Sequence, residues 1–91
     1  MDLGFEWDAA KARANAWKHH VTFEEAVSVF TDPLLVTFPD TEHSELEERL
    51  ISIGWSDHGR ILLIIHTERV DVIRLISCRK ATAAERRIYE Q

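Results

Sequence analysis

One cysteine and no long apolar run remove several classes of protein at the outset. A lone thiol, Cys78, supports neither a disulfide framework nor a thiolate set for zinc. The longest apolar stretch, Ile61 to Ile65, is far shorter than the roughly 20 residues that cross a bilayer. The first residues are acidic, without the basic and apolar segments of a secretory signal, so a reducing cytoplasm is expected. Only three glycines and two prolines are present, with no repeat, linker or low-complexity segment. The histidines at 19, 20, 43, 58 and 66 lack the paired spacing of metal ligands, and no metal or other cofactor is expected. Cys78 falls in an apolar strand without an activating neighbour, which argues against a Cys–His nucleophile pair.

What remains is ordinary in amount and uneven in distribution. At 91 residues, with 45% hydrophobic and 30% charged side chains, the chain suits one small domain, residues 1–91, of modest stability. The net charge of −5 weighs against general nucleic-acid affinity. Yet Asp40, Glu42, Glu45, Glu47 and Glu48 alone supply −5. Asp8 to His20 carries a net +2 and Arg74 to Gln91 a net +3, so the chain is acidic in the middle and basic towards its ends.

The periodicity predicts the order β-α-α-β-β-β-β-α, an α+β fold with a mainly antiparallel sheet and helices packed on it. "LGFEWD" alternates as a short half-buried strand, and Asp8 caps a helix over Ala9 to His19. Its apolar side is Ala9, Ala12 and Ala16 beside Trp17. Lys11, Asn15 and Lys18 or His19 share another face. "VTFEEA" has the form of a capping box, Thr22 with Glu25, with Val21 as a staple. Phe23, Ala26, Val27 and Phe30 form a core stripe that "TDP" ends. Strands follow over Leu34 to Phe38, Arg49 to Ser56, Arg60 to Glu68 and Asp71 to Arg79. "PDTEHSELEE" is a polar connection, and tight turns lie at "DHG" and around Arg69 and Val70. Apolar residues fill both phases of these strands, so both sheet faces are partly covered. A second capping box, Thr82 with Glu85, opens the last helix. His20 stands where a helix end favours a left-handed residue.

Four segments, "FEWDAAKARANAWKH", "VTFEEAVSVFTDP", "GRILLIIHTER" and "IRLISCRKATAAERRIYE", closely resemble successive signatures of the BrnT toxins of bacterial type II toxin–antitoxin systems. The resemblance runs from Phe5 to Glu90. It implies a RelE-like fold and a ribonuclease that stops translation. It also implies a BrnA-like antitoxin with a ribbon-helix-helix DNA-binding domain, in a complex of two toxins with two antitoxins that represses its own operon. Operator DNA would be met only through the antitoxin. Two positions depart from the family's pattern, His20 in place of the glycine of K-H-G and Val70 in place of a turn residue after T-E-R.

Metal-independent RNA cleavage needs a base for the ribose 2′-OH, cations for the phosphorane and an acid for the leaving oxygen. Arg79 at a strand end, with Glu85, Arg86 and Tyr89 on the helix after it, forms the leading catalytic cluster. These same residues would also serve as a cap, a solvated face and a packing contact. His19 is a further acid–base candidate because histidine titrates near neutrality, although Lys18 and His19 also suit a helix C-terminus electrostatically. Lys11, Asn15, Lys18, His66, Arg69 and Lys80 are the candidate RNA contacts. His66, in phase with Leu62 and Ile64, points either into the core or into a pocket. Arg74 alternates with Ile76 and Cys78 and suits a partly buried ion pair. The alternative to a ribonuclease is a catalytically inactive relative that keeps only the antitoxin contact and co-repression.

Overall fold

The computed structural model describes residues 4–44 and 46–91. The elements run β1 (Gly4–Glu6), α1 (Ala9–His19), α2 (Phe23–Val29), β2 (Val36–Pro39), β3 (Leu50–Trp55), β4 (Ile61–Arg69), β5 (Val72–Lys80) and α3 (Ala83–Tyr89). This is the expected α+β order. One five-stranded sheet has the order β1-β5-β4-β3-β2. β1 pairs in parallel with β5, and every other neighbour is antiparallel. Leu3, at the head of the expected first strand, and Glu45, in the acidic connection, lie outside the described residues.

Both faces of the sheet are used. On one, Leu62, Ile64, Leu75 and Cys78 pack against Val21, Phe23, Ala26 and Val29 of the α1–α2 layer. On the other, Ile53, Ile61 and Leu63 pack against Ala81 and Tyr89. The core stripe of α2 turns slightly from expectation. Val29 is buried, whereas Val27 and Phe30 are only partly so. Trp17 is 86% exposed and stands apart from the apolar side of α1; Trp7 packs on the core instead, edge-on to Phe23 at 5.8 Å between ring centroids. Gly54 is needed on the α2 face because a Cβ there would lie 2.9 Å from a methyl of Val29.

The helix ends follow their chemistry. Asp8 accepts from the Lys11 amide at 2.9 Å, and His20 closes α1 in the left-handed region at φ 58°. Thr22 accepts from the Glu25 amide at 3.1 Å, but Glu25 does not complete the expected box. Its carboxylate turns inward to Arg60 and Ser56, a stronger set of partners than one amide. The second box, Thr82 with Glu85, is complete. β2 starts at Val36 rather than Leu34, because Asp32 folds back to accept from the Leu34 amide at 2.9 Å.

The β4–β5 hairpin corrects two expectations. Its left-handed residue is Asp71, at φ 61°, so Val70 carries no conformational burden. A bulge between Ile65 and His66 slips the register, so Cys78 pairs with Ile64 while Arg74 pairs with Thr67. Arg74 therefore faces away from Cys78, opposite to what strict alternation gives.

Asn15 ties α1 to β5. Its side-chain amide donates to the Val21 and Cys78 carbonyls at 3.0 and 2.9 Å and accepts from the Cys78 amide at 3.0 Å. Replacing Asn15 with Leu would strand three buried backbone groups at a cost of about 3 kcal/mol. A thermal melt should then fall by roughly 15 °C for a domain of this size.

Candidate functional site

α3 is short and covers only part of its sheet face. Beside it the face forms an open trough, bordered by Asp40, Glu42, His43, Leu46, Glu47 and Arg49. Two hollows of about 360 and about 350 Å³ share His43, Arg49 and Ile76, so they form one continuous surface. One end carries Lys11, Glu47, Thr67 and Arg74, and the other Ile51, Leu63, Ile65, Ser77, Arg79 and Glu85. The bulge in β5 is what puts Arg74 on the same face as Ser77 and Arg79.

Arg79 stands at the end of the trough in a two-pronged ion pair. Nη1 lies 2.7 Å from Glu85 Oε1 and Nη2 lies 2.9 Å from Oε2. The second capping box fixes the partner, since Glu85 also accepts from the Thr82 amide at 2.8 Å. Arg79 holds the Glu85 carboxyl at about 2, aided by Thr82 and opposed by partial burial. Glu85 is therefore ionised at neutral pH and has no proton to give a leaving oxygen. Its hydrogen bonds in turn raise the Arg79 pKa. The guanidinium has five N–H groups, and this pairing leaves some of them for a further anion.

The remaining candidates separate. His19 lies at the end of α1, near enough to Arg79 that this charge helps to lower its pKa. Partial burial is the larger cause, with Lys18 and His20 adding to it. It is thus mainly neutral at physiological pH and suits a base better than an acid. Lys18, Lys80 and Arg86 are exposed, and Arg86 has no side-chain ion pair among the described residues. Lys11 reaches the far end of the trough. Arg69 is held by Glu47, Nε to Oε2 at 3.0 Å, in an exposed pair of small energetic weight.

Three expected site residues belong elsewhere. Asn15 is buried in its three backbone hydrogen bonds and presents nothing to a ligand. His66 is fully buried on the α2 face, edge-on to Phe30, with Nε2 2.7 Å from Ser52 Oγ. Burial pulls its pKa down to about 4. Tyr89 turns away from Glu85 and donates to Asp32 at 2.6 Å. Burial first, and then the bond to Asp32, push its phenol up to about 12, and that bond commits the O–H to Asp32.

Described residues of the polar connection border the site. Its neck is closed by the Asp40 amide donating to the Arg49 carbonyl at 2.8 Å. Ser44 Oγ bridges the same two residues, donating to the Asp40 carbonyl at 2.7 Å and accepting from the Arg49 amide at 2.9 Å. This places His43 and Arg49 over the trough. The signal was an aspartate three residues before a histidine and four before a serine, a spacing suited to local side-chain hydrogen bonds.

The sequence profile of the family described as "Ribonuclease toxin, BrnT, of type II toxin-antitoxin system" matches residues 7–85. Among solved structures, the chain is similar to the Brucella abortus ribonuclease toxin BrnT. The TM-score is 0.63 at 24% identity, covering 88% of this chain and 97% of that one. At that identity the likeness speaks for the fold. No curated protein sequence matches.

Proposed function

The chain belongs to the BrnT family of type II ribonuclease toxins, and from that premise we propose that it is an endoribonuclease whose trough binds RNA and cleaves it at Arg79. The observation that carries this reading is the oriented Arg79 guanidinium, fixed by Glu85 with donors to spare beside an open surface. The spare N–H groups grip the scissile phosphate and stabilise the negative charge that gathers as a fifth oxygen approaches phosphorus. Glu85 acts through Arg79 as a positioning residue. Lys11, Arg49, Lys18 and Lys80 receive the flanking phosphates, and His19 stands by Arg79 as a neutral imidazole.

In the cell, a BrnA-like ribbon-helix-helix antitoxin neutralises the protein in the cytoplasm. Two toxins and two antitoxins form the complex, which reads operator DNA through the antitoxin and represses the operon. A second reading, an inactive relative that only binds its antitoxin, draws on the carboxylates Asp40, Glu42, Glu47 and Glu85 around the trough. Inducible expression with and without the antitoxin separates the two. Growth arrest with loss of RNA, relieved by the antitoxin, is expected; undisturbed growth at high soluble expression would favour the second reading.

A further inference from the structure

Among the described residues, the trough holds one imidazole that the cluster around Arg79 does not use. His43 borders both hollows, and its side chain is 62% exposed. Its Nδ1 lies 3.2 and 3.1 Å from the two carboxylate oxygens of Asp40. The Asp40 side chain is only 10% exposed, and its backbone is clamped by Arg49 and Ser44. A carboxylate only accepts, so this contact favours the tautomer with the proton on Nδ1, which makes Nε2 the acceptor of the ring. A histidine so held by a carboxylate, whose second ring nitrogen makes no hydrogen bond among the described residues and which lines the same hollow as Arg79, has the arrangement of an oriented general base.

We propose that His43 is a catalytic base of this site and Asp40 its positioning residue. The inference rests on the ribonuclease reading and assigns it a proton acceptor. His43 Nε2 takes the proton from the ribose 2′-OH. The 2′-oxygen then forms a bond to phosphorus while the bond from phosphorus to the 5′-oxygen breaks, with Arg79 holding the phosphate oxygens. The departing 5′-oxygen takes a proton from water, and the hydroxide left behind takes the proton from the imidazolium. The products are a 2′,3′-cyclic phosphate and a 5′-hydroxyl, with no oxidant or other co-reactant.

The test uses the purified full chain and a defined single-stranded RNA oligonucleotide. His43→Ala should lower kcat by about 100-fold or more with KM little changed, and added imidazole should restore part of the loss. Asp40→Asn should lower kcat in the same direction at unchanged KM. His43→Gln, with its melt compared with that of the parent, guards against a folding effect. Wild-type kcat in folded His43→Ala or His43→Gln would overturn the proposal while leaving the ribonuclease reading intact. So would a fall in kcat that imidazole does not rescue, because an altered loop gains nothing from free base. No cleavage by the wild-type chain would instead overturn the ribonuclease reading, and the proposal with it.

Discussion

Arg79→Ala is expected to lower kcat for RNA cleavage by a factor on the order of 10²–10³, the usual effect of removing an oriented donor from developing negative charge. Two changes combine in this variant. The phosphorane loses its planar cation, and Glu85 loses the partner that neutralises it. An unpaired carboxylate at the end of the trough then repels the phosphate. Arg79→Lys should recover only part of the activity, because an ammonium restores charge without the two-pronged geometry. Adding Glu85→Gln to Arg79→Ala should regain RNA affinity without regaining kcat, separating repulsion from catalysis. The fold should tolerate Arg79→Ala, since the pair is partly exposed and contributes little to stability. Steady-state kinetics with a melt of each variant checks all of this, and wild-type kcat in folded Arg79→Ala would remove the arginine from the mechanism.

Glu25→Ala should produce the largest loss of stability, about 4 kcal/mol. The Glu25 side chain is 1% exposed. It accepts from Arg60 Nη2 at 2.6 Å, Arg60 Nε at 2.7 Å and Ser56 Oγ at 2.7 Å, and His58 Nδ1 stands 3.0 Å away. Arg60 also donates to the His20 carbonyl at 2.9 Å, so the carboxylate gathers the α1 end, the start of α2 and the β3–β4 turn. Removing it leaves the arginine without its anion and the α1–α2 corner without its anchor. Acid should act in the same direction. Hydrogen bonds from Arg60, opposed by burial and supported by Ser56, lower the Glu25 pKa from 4.5 to about 2. A depressed folded-state value means that the contribution is complete above about pH 4.5. It is lost as pH falls towards 2, up to roughly 3 kcal/mol. Urea unfolding at a series of pH values should show this loss in the parent and a flatter curve over that window in Glu25→Gln.

Local chemistry in the sequence went far towards the fold. The Asp8 and Thr82 caps, the boundaries of α1, the left-handed His20 and the two-phase strands are all set by neighbouring residues. The structure departs from those expectations where a distant partner outcompetes a near one. Glu25 leaves its own helix cap for Arg60, 35 positions along the chain. Asn15 leaves the polar face of α1 for Cys78. Tyr89 abandons Glu85 for Asp32. The bulge at Ile65/His66 is a register choice that alternation cannot encode, and it decides which β5 side chains face the trough. Of the proposed site, Arg79 and Glu85 could be read from a strand end followed by a capping box. His43 left only the local spacing of Asp40, His43 and Ser44, which does not tell a turn from a site until Ser44, Asp40 and Arg49 are seen to close the neck.

The central claim is that RNA lies along the α3 side of the sheet, between the connection carrying His43 and the end of β5. The most direct measurement is the set of backbone amide shifts in the folded wild-type chain as an RNA oligonucleotide, blocked by 2′-deoxy substitution at the cleavage position, is added. The account predicts perturbations concentrated at His43, Arg49, Ser77, Arg79 and Glu85, weakening steeply with salt as phosphate contacts do. Perturbations confined to the α1–α2 face around Phe23 and Val29, with the trough silent, would contradict it.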